Sequence, residues 1–211
     1  MLSGFFATPR RRALTIGALV AVFALLIGFG AGVVTPSLRA PGDNSAEAGF
    51  ARDMSTHHAQ AVSMAMTAYP KVTDPEVRQL AYDIALTQQG QIGVMQTWLK
   101  DWHLQPTGTR PKMAWMPGGA QELTPDGLMP GMATDAQLTQ LDSATGKQAD
   151  ILFCQLMLRH HLGGIHMIDE LLKLSHNQDV RDLAQTMKNN QQGEVVQFQS
   201  LLTQFGAQPL T

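Results

Sequence analysis

Residues 50–65 read FARDMSTHHAQAVSMA, and residues 153–168 read FCQLMLRHHLGGIHMI. The two stretches share a Phe, a Met, a His-His pair and a second Met in the same order, at an offset of 103, the separation of Phe50 and Phe153. The match runs on without a gap. Val77-Arg78 meets Val180-Arg181, Leu80-Ala81 meets Leu183-Ala184, Gln88-Gln89-Gly90 meets Gln191-Gln192-Gly193, and Leu99 meets Leu202. An ordered, gapless series of this length is the mark of an internal duplication.

Each copy reads as two helices. Glu47 to Tyr69 is apolar at helical spacing and stops at Pro70; Asp74-Pro75-Glu76 then supplies an N-cap, a proline at the first helical position and an acid in the first turn. That second helix runs to about His103. In the other copy a helix spans Lys147–Leu174, and Asn177 caps one that ends near Gly206. No sustained period-two run of β-branched residues occurs. Two amphipathic hairpins must bury their stripes against each other, which predicts an all-α fold, a four-helix bundle built from tandem helical-hairpin repeats. The repeats occupy 47–103 and 147–206. Between them 104–146 is a Pro- and Gly-rich crossover with a short helix from Asp135 to Asp142.

Ahead of the repeats lie a basic segment (1–12, with Arg10, Arg11 and Arg12), an uncharged run (13–34) and a linker (35–46). As a helix the run spans about 33 Å, against about 30 Å of hydrocarbon. Arginines before it predict an N-terminus inside and the repeats outside, whether the run is a membrane anchor or a cleaved signal. The expected location is therefore a cell membrane with an extracytoplasmic domain, or the periplasm or exterior after cleavage. The net charge of −2, with no basic stripe, gives no footprint for nucleic acid. The sequence names no protein partner.

The 12 methionines and 7 histidines stand against one cysteine, Cys154, which has no internal disulfide partner. With Met54 set at zero on a helical wheel, His58 falls at about +40°, Ala61 at about −20°, His57 at about −60° and Met64 at about −80°. Met157, His161, Gly164, His160 and Met167 repeat the set. Glu47 and Asp150, seven residues before each first Met, share the face, as does Cys154. Thioether and imidazole are soft, neutral ligands that suit Cu(I) and, by analogy, Ag(I). Zinc rarely takes Met, and the carboxylate spacing of a di-iron oxidase is missing. Two readings stay open: a soft-metal site, or four imidazoles in a hydrogen-bonded core network within a structural or interaction module. A metal-dependent oxidase is a third. Nothing resembles a nucleophile–base pair, and no catalytic residue is expected. Met113, Trp115, Met116, Met129 and Met132 in the crossover either collect soft metal as exposed thioethers or cover the bundle. His166 points away from Met157, His103 and His176 fall at helix ends, and Arg78 and Arg181 read as solvated or inter-helix residues.

With GLMPGMATDAQLTQLDSATG (127–146) between them, the two Met/His stretches resemble the domain-of-unknown-function 305 family, which includes CopM-like copper-binding proteins of bacteria. The resemblance covers about Glu47 to Phe205. It implies a ferritin-like four-helix bundle, export, and copper or silver held by Met and His. The matching positions are Met54, His57, His58 and Met64, then Met157, His160, His161 and Met167. It also implies an acid after the paired Gln of each copy; Glu194 keeps it, and Gln91 replaces it in the first copy. Imidazole protonation near pH 6.5 is expected to compete with metal, and the second half is expected to bind more tightly.

Overall fold

A computed structural model describes residues 9–210. The described residues divide into two units, one up to residue 40 and one from residue 41 onward. The first is α1 (Pro9–Arg39), whose stretch Arg10–Gly30 is long and apolar enough to cross a membrane. The expected linker begins at 35, but the helix continues to Arg39. Pro36 forfeits one backbone bond near the helix end and does not stop it. Most of the basic segment, residues 1–8, lies outside the described residues.

The second unit is all-helical among the described residues: α2 (Ala46–Ala68), α3 (Pro75–Asp101), α4 (Asp135–Ser143), α5 (Gly146–Leu174) and α6 (Gln178–Phe205). The local signals explain the boundaries. Ser45 caps α2, Asp74 accepts from Glu76 and Val77 at the head of α3, and Asn177 accepts from Val180 at the head of α6. A capping box between Thr134 and Gln137 starts α4. Gly206 ends α6 at φ 70, the left-handed region that favours glycine. Helices α2–α3 and α5–α6 form the two hairpins, and α2 packs against α5 across them.

Two duplicated contacts fasten the hairpins. The Asp150 carboxylate accepts from the Thr73 amide and hydroxyl and from the Asp74 amide, in the turn of the first hairpin. Glu47 accepts from the Ser175 hydroxyl in the turn of the second. The start of each long helix thus meets the end of the other, so α2 and α5 run antiparallel. Arg78 is exposed and Arg181 half-buried, and among the described residues neither forms a salt bridge. Arg78 donates to the Val72 carbonyl, and Arg181 to the equivalent Ser175 carbonyl, each holding its own hairpin turn.

The core divides into two clusters. One holds Met64, Phe153, Met157, Ile84 and Phe198; the other holds Phe50, Met54, Met95, Met167 and Met187. The crossover joins the second. Asp53, buried, accepts from the Met113 amide (2.7 Å) and from Trp115 Nε1–H (2.9 Å), and Trp115 packs edge-on against Phe50. Gly49 is required there, because a Cβ on it would lie 2.4 Å from Trp115 Cβ.

Candidate metal centre

Helical spacing puts His57 and His58 on the inner face of α2, and His160 and His161 on that of α5. All four are buried. The His57 and His160 rings stack at 3.8 Å between centroids, tilted by 34°, and the His160 and His161 centroids are 6.3 Å apart. The structure therefore brings the two dyads into one layer at the crossing of the antiparallel helices.

Three of these imidazoles have an acceptor on one ring nitrogen. His57 Nε2–H donates to the Pro130 carbonyl (3.0 Å), His58 Nε2–H to Gln91 Oε1 (2.8 Å) and His161 Nε2–H to Glu194 Oε2 (2.5 Å). A carbonyl or a carboxylate only accepts, so in His57 and His161 the shared proton sits on Nε2, and the neutral His57 keeps its lone pair on Nδ1. His160 has a hydrogen bond to the His57 backbone, and four of the ring nitrogens, Nδ1 of His57, His58 and His161 and Nε2 of His160, are buried with no hydrogen-bond partner. Burial holds His57, His58 and His160 neutral. It pushes His57 down to about 4 and His58 to about 3, and it lowers His160 well below the ordinary value, with the neighbouring imidazoles adding to each effect. Protonation of these three histidines thus falls well below the pH 6.5 of the unperturbed side chain.

The thioethers divide between the clusters. Met54 and Met167 lie in one, Met64 and Met157 in the other, all buried. Each pair takes one residue from each half. The antiparallel register is the reason.

The less certain candidates fare differently. Glu47 and Asp150 share the wheel angle but lie about 15 Å along their helices from the imidazoles, at 1.5 Å per residue, and both are engaged in hairpin turns. Cys154 is buried, and burial, with Asp150 next, pushes its thiol up and away from the thiolate a metal needs. Glu194 touches His161 and serves to orient it. Met113, Met116 and Met129 are buried in the core rather than exposed, with Met132 half-buried; Asp53 draws the crossover onto the bundle. His166 pairs outside the layer with Glu122.

Other participants had weaker signals. Gln88 and Gln191, the duplicated glutamines, are buried beside the layer with Oε1 unpaired, and a Cβ on Gly164 would lie 2.6 Å from Gln191 Oε1. The space left by the small residue is taken by that amide. Pro130 reaches His57 because Gly163 gives way: a Cβ there would lie 2.0 Å from the Pro130 oxygen. Among the described residues no three His, Cys, Asp or Glu side chains form a metal-holding group.

The model of the family described as domain of unknown function DUF305 matches residues 47–202. The chain belongs to the DUF305 family. A DUF305 structure from Streptomyces coelicolor, named as a candidate secreted protein, is 41% identical, with a TM-score of 0.73 over 81% of this chain and 99% of that one. A DUF305 fragment from Deinococcus radiodurans is 31% identical, with a TM-score of 0.61 over 75% and 96%. CopM in its Cu(I)-bound form is 23% identical, with a TM-score of 0.60 over 76% and 97%, a likeness of fold alone. No curated protein matches the chain.

Proposed function

We propose that this DUF305 protein is an extracytoplasmic, non-catalytic binder of Cu(I) or Ag(I), acting in tolerance or handover and tethered or exported by α1. His57, His58, His160 and His161 would hold the ion between α2 and α5, with Met54, Met64, Met157 and Met167 as thioether ligands. The observation that carries this reading is the four unpartnered imidazole nitrogens in one buried layer. A finished hydrogen-bond network would leave none of them, since each unsatisfied buried polar atom costs about 1–3 kcal/mol. A carbonyl, an amide and a carboxylate orient three of the rings from behind, the arrangement that prepares imidazole as a ligand. The neutral donor set matches a soft monovalent cation. CopM, of the same fold, was solved in Cu(I)-, Cu(II)- and Ag-bound forms.

The test is an anaerobic competition titration of the full chain, in detergent, against a chromogenic Cu(I) chelator. Wild type should withdraw Cu(I) from the chelator, and His57→Ala with His160→Ala should weaken it at least tenfold. No withdrawal by wild type, or equal withdrawal by the double variant, would overturn the assignment. Loss of stability in that variant with no metal effect would favour the structural module.

A further inference from the structure

The two core clusters are images of each other under the duplication, yet their compositions differ. On α2, Met54 and His58 are one turn apart; on α3, Gln91 and Met95 are one turn apart. These helices are antiparallel and His58 bonds Gln91, so the next turn toward the start of α2 sets Met54 beside Met95. The second hairpin displays this register directly. One turn from the His161–Glu194 pair, Phe198 packs 5.6 Å from the His161 ring and 6.0 Å from Phe153. The antiparallel crossing of α2 and α5 brings Met167 to the level of Met54. The Lys188–Asp169 ion pair fixes Met187 at the level of Met167.

Met54, Met95, Met167 and Met187 are all fully buried in one cluster, one from each of the four bundle helices. The duplication maps them onto Met157, Phe198, Met64 and Ile84 in the other cluster. There, two of the four thioethers are hydrocarbon. Met113, Met116 and Met129 of the crossover also join the Met54 cluster, and no crossover methionine joins the Phe153 cluster. Methionine as plain core filler gives no reason for this one-sidedness, since Phe and Ile fill the equivalent space. What the first layer keeps and its image lacks is sulfur. Beside it stands His58, fully buried, with Nδ1 unpartnered.

We infer that Met54, Met95, Met167 and Met187 form an additional thioether site for a monovalent soft cation, Cu(I) or Ag(I), which takes Met54 and Met167, leaves Met64 and Met157 to the imidazole layer, and has no counterpart in the image layer. Four neutral sulfur donors suit such an ion. The inference adds Met95 and Met187 to the ligands and rests on the soft-metal reading above.

The test is titration of the full chain in detergent with Ag(I), which is redox-inert, followed by calorimetry. The variant Met95→Phe with Met187→Ile gives this layer the residues its image already carries. Wild type should take up at least two ions, the double variant should lose one, and His57→Ala with His160→Ala should retain the one that the methionine variant loses. Helical circular dichroism checks folding; if the variant does not fold, Met95→Leu with Met187→Leu carries the same expectations. Unchanged uptake by a folded methionine variant, with loss in the histidine variant, overturns this site and leaves the proposed function standing. No uptake by wild type overturns both.

Discussion

His58 and His161 occupy one position in two copies of the same hairpin, but His58 gives its Nε2 proton to the amide of Gln91 and His161 gives its own to the carboxylate of Glu194. Burial accounts for the difference. Gln91 is buried, whereas the Glu194 side chain retains 17% exposure, enough for solvent to stabilise its charge. A carboxylate at 91 would be desolvated; an amide at 194 merely weakens a bond.

The two exchanges should therefore be unequal. Glu194→Gln replaces a charge-assisted hydrogen bond with a neutral one and should cost about 1 kcal/mol. Gln91→Glu should cost more, because a buried anion has only one imidazole to compensate it. Urea unfolding of both metal-free variants checks the order, and equal costs would show that burial is not what separates the halves.

Metal-free protein should lose stability in mild acid. His57 and His58 are held at about 4 and about 3 in the folded chain and return to about 6.5 on unfolding. Below pH 6.5 the unfolded chain binds more protons than the folded one, so stability falls as pH drops toward 4 and is unaffected by these groups above about 7. The slope contributed by each histidine reaches about 1.4 kcal/mol per pH unit. Unfolding free energies at pH 7, 6 and 5 measure it, and His57→Gln should make the profile shallower.

Asp53 predicts the behaviour of the crossover. Asp53→Ala leaves the Met113 amide and Trp115 Nε1–H buried without an acceptor. The expected loss is about 2–6 kcal/mol, from about 1–3 for each orphaned donor. Limited proteolysis should then cut within 104–134 faster than in wild type. Cleavage at the wild-type rate would mean that packing of Trp115 on Phe50 and Gly49 holds the segment without Asp53.

The bundle was legible because caps, prolines and a repeated apolar stripe are local signals. The dyads were legible because a duplication exposes them. What the wheel concealed was height. Glu47 and Asp150 share an angle with Met54 and Met157 but sit two turns beyond them, where they bind Ser175 and Thr73. Likewise, Met54 and Met157 read as equivalents within separate halves, and only the antiparallel crossing assigns them to different clusters. The crossover methionines stand among Pro and Gly, a context that suggests exposure; their burial depends on Asp53, whose image is Leu156 and which the repeat therefore did not mark. Pro130 contributes only a backbone carbonyl, which no side-chain pattern reports.

That carbonyl makes Gly163 the most sensitive glycine of the centre. Gly163→Ala places a Cβ 2.0 Å from the Pro130 oxygen, and backbone on both sides leaves no flexible side chain to yield. The crossover must retreat, and His57 loses its acceptor. Overpacking of this kind costs about 1–3 kcal/mol, and a metal-binding layer oriented by Pro130 should lose Cu(I) affinity with it. Gly193→Ala is the control. It lies within α6 with nothing within 4 Å of the added methyl, so relief of glycine's backbone entropy should raise stability by about 0.5–1 kcal/mol and leave Cu(I) affinity alone. Paired unfolding and chelator titrations on both variants separate the two effects. Weaker binding in Gly163→Ala alone ties the Pro130 contact to the metal centre, and wild-type affinity in that variant would reduce it to a fastening of the crossover.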